Sequence, residues 1–191
     1  MPRLKTLLFL ALGKVYKLTS GTSLGKIPWV KMFYFLLVRR LWSCDRVIEV
    51  QGSRMYVNPN ALPERFSRTF QPFVFLGVWE ELTTKLFKEA VKEGDTVVDL
   101  GANMGYFSLL AARLVGEKGK VYAFEPEPVN YSLLLKNIEL NGYDNIVPLQ
   151  KAVSNVNGKV KLFIHNKDSG RHTMRQCNGE GVYTEFVEVE S

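Results

Sequence analysis

The stretch TVVDLGANMGYFSLLAARLVG, Thr96 to Gly116, constrains this chain most. It runs from β-branched strand formers through a turn holding Gly101 and Gly105 into a helical pattern, with no linker between them. Phe107, Leu110, Ala111 and Leu114 recur at i, i+3, i+4 and i+7, which predicts an amphipathic helix over Tyr106–Val115. A strand fused so tightly to a helix is half of a βαβ unit, and the next strand must lie parallel to the first.

The following residues continue the alternation. KVYAFE reads as a strand, Pro128 to Leu140 as a helix with Tyr131, Leu134, Leu135 and Ile138 on its apolar face, and NIVPLQKAV as a third strand. Gly116 and Gly142 are placed to end the two helices, and Gly94 to end an earlier one over Trp79–Val91, whose predicted apolar face is Leu82, Leu86, Ala90 and Val91. Upstream, Val47–Val50 and Ser53–Val57 flank Gln51-Gly52 as a hairpin. Downstream, GKVKLFIHN and GVYTEFVEVES alternate as two further strands around a polar loop. The expected class is α/β, with a mainly parallel sheet.

Charge divides the chain. Residues 1–46 hold nine Lys/Arg against Asp45 alone, a net +8, so the whole-chain value of +6 leaves −2 for residues 47–191. The apolar runs TLLFLALG and MFYFLLV in this basic segment are far shorter than the roughly 20 residues that span a bilayer. A weak signal peptide, amphipathic helices on an anionic membrane surface, and helices packed on the main domain all remain open. The expected division is a basic helical segment over 1–46 and one domain over 47–191. Cys44 and Cys177 form no CxxC, and with only His165 and His172 no metal site is expected; the cysteine usage suits a reducing, cytoplasmic compartment.

The turn after Asp99 sits where strand ends and a helix N-terminus converge on one crevice. A dinucleotide fold would show G-x-G-x-x-G, but Gly101, Asn103 and Tyr106 stand at those positions, so two of three glycines are missing. A carboxylate at Asp99 is poorly matched to a pyrophosphate and well matched to a cofactor carrying ammonium and sulfonium charges. Glu125, 20 residues past Gly105 at the next strand end, can accept both hydroxyls of a ribose. Singly, Asp99 could be a turn cap and Glu125 a solvated strand-end charge; their spacing with two glycines between favours a cofactor site.

These residues, in GDTVVDLGANMGYFSLLAARLVG, GKVYAFEPEPVNYSLLLKNIELNG and KAVSNVNGKVKLFI, with the weaker GVWEELTTKLF, resemble a class I S-adenosylmethionine-dependent methyltransferase, more narrowly the FkbM type. The resemblance covers about Val47 to Ser191. It implies a Rossmann-like, three-layer αβα fold, with Asp99, Gly101, Asn103 and Gly105 lining the methionine part of the cofactor. Ala102, Tyr106 and Pro126 belong to the same wall, Glu125 holds the ribose, and Lys151, Ala152 and Val153 pass near the adenine. It further implies O-methylation of a sugar, lipid-linked or secondary-metabolite hydroxyl. His172, in DSGRHTM, and Glu80, in VWEE, are the candidate general bases.

On this reading the acceptor is a small molecule, glycan or lipid-linked compound. Peripheral contact with the inner membrane surface through residues 1–46 is an alternative to plain packing, and no nucleic acid is expected, because the basic residues sit among bulky aliphatics without a recognition motif. Related chains continue past a VEVES-like strand into a further acidic strand, so the sheet is expected to be C-terminally incomplete. The rival reading is a non-catalytic remnant or binding module that keeps only the cofactor half.

Overall fold

The computed structural model describes residues 46–57, 77–155, 157–165, 172–174 and 183–190, with single positions 8, 11, 14, 15, 18 and 22 ahead of them. The expected basic helices of residues 1–46 fall almost wholly outside the described residues. Described elements are β1 (Arg46–Val50), β2 (Ser53–Val57), α1 (Glu81–Ala90), β3 (Thr96–Leu100), α2 (Tyr106–Val115), β4 (Lys120–Phe124), α3 (Pro128–Asn141), β5 (Ile146–Leu149), β6 (Lys159–His165) and β7 (Tyr183–Glu190).

The strand–turn–helix alternation produces what it predicts. Strands β3, β4 and β5 form a parallel sheet in that order, with Leu100 opposite Phe124 and Phe124 opposite Leu149, so their C-terminal ends finish level. Helices α2 and α3 are the crossovers between them. Buried Val121 and Ala123 of β4 and Ile146 of β5 form a core with Leu109, Ala112, Val115 and Leu134. The hairpin β1–β2 closes this core from outside through Val50 and Met55. This is a Rossmann-like α/β fold.

Three details differ from the sequence reading. Strands β6 and β7 pair with each other, antiparallel from Lys159 opposite Glu190 to His165 opposite Tyr183, as a separate two-stranded sheet. The third layer of the expected αβα sandwich is not found among the described residues: on the sheet face away from α2 and α3, Val98 is 56% and Leu100 59% exposed. Helix α1 is also turned from its predicted face. Of the predicted face, Leu82, Leu86 and Ala90 are exposed and Val91 alone packs on the core, joined there by Phe87 and by buried Thr84. The cause is local: the Phe87 ring meets Phe107 at 5.2 Å between centroids, and Thr84 meets the Tyr106 hydroxyl at 2.9 Å.

The ends of α3 follow the expected chemistry, whereas α1 stops at Ala90 with Val91, not Gly94, at its C-cap. Glu127, at the N-cap of α3, accepts from Val129 N and Asn130 N while Pro128 occupies the first turn, and Gly142 closes the helix in the left-handed region at φ 64°. Among the described residues no helix is long and apolar enough to cross a membrane.

Candidate functional site

The level ends of β3, β4 and β5 gather the residues singled out by sequence. After Leu100 the chain turns through Gly101 (φ 83°), Asn103 (φ 51°) and Gly105 (φ 97°) into α2, and the turn is tied down by Gly101 N and Ala102 N, which both donate to Phe124 O at 2.8 and 2.9 Å. Asn103 N donates to Glu125 Oε2 at 2.7 Å, and Glu127 N donates to Glu125 Oε1 at 3.0 Å. The turn after β3 and the turn after β4 are thus joined through one carboxylate. From β5, Lys151 N returns to Leu149 O at 2.9 Å, so Lys151, Ala152 and Val153 leave the sheet at the same end.

The two glycines have different neighbours. Among the described residues beyond its chain neighbours, a Cβ on Gly101 would meet nothing within 4 Å, leaving an open cradle beside a left-handed backbone. A Cβ on Gly105 would lie 2.7 Å from Leu134 Cδ1, so this glycine makes room for α3 rather than for a ligand. Gly105→Ala is therefore expected to cost about 2–4 kcal/mol of stability, from overpacking against fully buried Leu134 together with the left-handed backbone, checked by urea unfolding. Ala102 turns its methyl into the core, so only its backbone borders the crevice.

The carboxylates are electrostatically prepared in different ways. Burial is the main cause that raises the Glu125 pKa; hydrogen bonds from Glu127, Asn103 and Asn130 pull it down, and the Glu127 charge adds to the rise. Glu125 already accepts from Asn103 N, Glu127 N and the Asn130 side chain, and a carboxylate offers about four acceptor sites, so it can still receive one hydroxyl. Burial likewise raises the Asp99 pKa, opposed by its bonds with Ser108. Asp99 Oδ2 accepts the Ser108 hydroxyl at 2.6 Å, which holds α2 against β3.

Other expected site residues have structural partners. Tyr106 is buried: Thr84 Oγ1 donates to Trp79 O at 2.5 Å, so the Tyr106 hydroxyl donates to Thr84 Oγ1 and accepts Trp79 N at 3.1 Å. It fixes the start of α1 beside the glycine turn. Glu80 is exposed, with a left-handed φ of 46° at the N-cap of α1 and no side-chain capping bond. His172 Nδ1 accepts His165 N at 3.1 Å, so this histidine is seated against β6 next to the Phe163–Thr173 bridge. No cluster of three or more His, Cys, Asp or Glu suited to a metal occurs among the described residues.

Comparison with known proteins matches this segment. The family model of the TRM5/TYW2 methyltransferase domain covers residues 80–166. The Rossmann-like core of this chain is that of the S-adenosylmethionine-dependent methyltransferases. The methyltransferase core is 36% identical over 80 residues to an uncharacterized protein of Methanocaldococcus jannaschii, covering 40% of this chain and 30% of that protein. It is 40% identical over 57 residues to the tRNA(Phe) (4-demethylwyosine(37)-C(7)) aminocarboxypropyltransferase of the same organism, covering 30% and 22%. Among solved structures, M. jannaschii TYW2 in complex with AdoMet matches at TM-score 0.42 and 24% identity, over 55% of this chain and 42% of that one. The chain thus spans less than a third of the length of these two curated relatives.

One expectation is supported only in its coarser form and one is corrected. The matching family model supports the S-adenosylmethionine-dependent methyltransferase expected from the sequence and does not support the narrower FkbM type. The expectation of a small-molecule, glycan or lipid-linked acceptor without nucleic acid is overturned by the tRNA-modifying relative and by that family model. The absence of a recognition motif could not exclude nucleic acid, because phosphate contacts need only Lys and Arg within reach of the backbone.

Proposed function

We propose that this protein transfers the methyl group of S-adenosylmethionine to an RNA acceptor. The observation that carries the cofactor reading is the Glu125 carboxylate clamped between the turns after β3 and β4, beside the open cradle at Gly101. Glu125 receives a ribose hydroxyl. The backbone of Gly101 to Gly105 lines the methionine part, with Asp99 behind it and Pro126 beside the ribose. Lys151 to Val153 border the adenine from the end of β5. The bound cofactor would supply a methyl carbon on a sulfonium leaving group; the chain's own contribution is to hold that carbon in line with the attacking atom and to keep water out.

RNA as acceptor rests on the TRM5/TYW2 domain match and on the +8 charge of residues 1–46, which suits a phosphate backbone. One named relative moves the aminocarboxypropyl group, not the methyl group, so the transferred group needs its own test. The protein should be incubated with tRNA transcripts and with S-adenosylmethionine labelled either in the methyl or in the carboxyl carbon. Label in precipitated RNA from the methyl form alone is expected. Label from the carboxyl form would replace methyl by aminocarboxypropyl transfer. Cofactor binding without RNA labelling would overturn the acceptor, and no cofactor binding would overturn the whole reading.

A further inference from the structure

The buried face of α3 carries a polar residue at its centre. Asn137 is 0% exposed and uses both ends of its amide: Tyr56 N donates to Oδ1 at 2.7 Å, and Nδ2 donates to Met104 O at 2.8 Å. The partners fix the amide's orientation, since an N–H can only donate and a carbonyl can only accept. One turn later, Asn141 Oδ1 accepts Arg54 N and its Nδ2 donates to Arg54 O, both at 2.7 Å. Four residues along a helix advance about 6 Å, close to the ~6.7 Å between alternate residues of a strand, so the two asparagines read successive outward N–H groups of β2. The edge of β2 that β1 leaves unpaired is thereby covered by α3.

Only the first asparagine goes further. Met104 lies inside the glycine turn, one residue from Asn103, whose N–H is held by Glu125, and one from Gly105, against which Leu134 packs. Asn137 therefore spans from the hairpin to the turn, and Leu134 and Asn137 on one face of α3 hold two adjacent residues of it. We propose that Asn137 is a positioning residue for cofactor binding, which sets the Asn103–Gly105 backbone by holding Met104 O and couples it to the β1–β2 hairpin through Tyr56 N. An apolar side chain there could fill the volume but would leave a buried carbonyl and a buried N–H unpaired. The effect on affinity rests on the cofactor reading above; the effect on the turn does not.

Amide hydrogen exchange on the unmodified protein tests the coupling. Saturating S-adenosylmethionine should slow exchange at Tyr56 along with Asn103 to Gly105, and should leave Arg54, held by Asn141, unchanged. Asn137→Asp keeps the shape and the acceptor for Tyr56 N but loses the donor to Met104 O until the introduced carboxyl is protonated. Relative to wild type at the same pH, its cofactor affinity should be about tenfold weaker at pH 8 and within about threefold at pH 5.5. Referring each value to wild type cancels the pH response of the groups both proteins share, Glu125 among them; Lys136, on the same helix, is engaged over the Tyr56 ring. Asn141→Ala should bind as wild type does.

Faster exchange at Asn103 to Gly105 in Asn137→Asp without cofactor is expected even if wild type binds no S-adenosylmethionine, which would sink the cofactor reading alone. Unchanged exchange there in a folded variant overturns the positioning role. If that variant does not fold, the wild-type measurement decides: protection of Asn103 to Gly105 by cofactor without protection of Tyr56 overturns the coupling.

Discussion

Glu125→Ala should weaken binding of S-adenosylmethionine by about a hundredfold or more, read by calorimetry. A hydrogen bond to an ionised acceptor contributes about 1.5–3 kcal/mol, roughly ten- to a hundredfold in affinity, and the ribose hydroxyl on Glu125 would lose its bond. The same substitution orphans Asn103 N and Glu127 N, so the turn that lines the methionine part would loosen as well. Stability should fall less, by about 1–2 kcal/mol, because removing a buried carboxylate also removes its desolvation cost. Undiminished affinity in the variant would show that the carboxylate does not hold the ribose. Glu125→Gln retains one acceptor and should fall between the two.

The pH dependence separates the carboxylate's two roles. Its pKa in the folded protein lies above the ordinary 4.5, raised first by burial. A raised carboxyl contributes stability that is fully present below its unfolded pKa and is lost as pH rises through its folded one. Without cofactor, Glu125 and Asp99 should both make the wild-type protein less stable as pH rises from about 4 through their raised values. Cofactor affinity should run the other way, since hydroxyls bind the ionised form more strongly. Melting temperatures with and without S-adenosylmethionine should therefore diverge as pH rises, and in Glu125→Gln that divergence should flatten.

The reach of the sequence can be judged element by element. Thr96–Leu100, Tyr106–Val115 and their parallel pairing were legible because β-branched strand formers, turn glycines and a 3.6-residue apolar period agree on one local answer. The gathering of Asp99, Gly101, Glu125 and Lys151 at one sheet end followed from that topology alone. Helix faces were read less well, for a physical reason. The predicted apolar face of α3 is borne out at Tyr131, Leu134 and Ile138, which reach the core, but it included Leu135, which is 40% exposed, and left out the buried Asn130 and Asn137. Hydropathy assigns asparagine to the surface and cannot tell when backbone partners wait for it inside.

Helix α1 makes the same point through Thr84, which is buried because Tyr106 and Trp79 supply its hydrogen bonds. Tyr106 itself had been expected to border the cofactor; its hydroxyl is engaged with α1. The acceptor side lay beyond sequence reasoning for a different reason. Blocks such as VVDLGANMGYF follow from the cofactor's shape, which is common to enzymes acting on unrelated acceptors, and so they carry no information about what is methylated. Glu127 as a cap was visible in principle, since an acidic residue ahead of Pro128 is an N-cap pattern.

Gly101 offers the second large effect, and its contrast with Gly105 makes it diagnostic. Gly101→Asn should reduce affinity for S-adenosylmethionine by about a hundredfold or more while costing only about 1 kcal/mol of stability. Asparagine tolerates left-handed backbone better than other side chains, and the same turn already holds Asn103 at φ 51°. A side chain at Gly101 would enter open space, with none of the described residues beyond its chain neighbours within 4 Å of its Cβ, so these residues give no packing reason to exclude it. If the space is the cofactor's, the protein keeps its fold and loses its ligand. Gly105→Ala should shift the balance, losing more stability through Leu134 than Gly101→Asn does, while its folded fraction, with the Asn103–Gly105 backbone displaced, binds only about tenfold more weakly than wild type. Paired urea titrations and calorimetry on the two variants would read this crossed pattern directly. Equal binding by Gly101→Asn and wild type would mean that the cradle faces solvent, and the methionine part would then have to lie elsewhere along the Asn103–Glu125 seam.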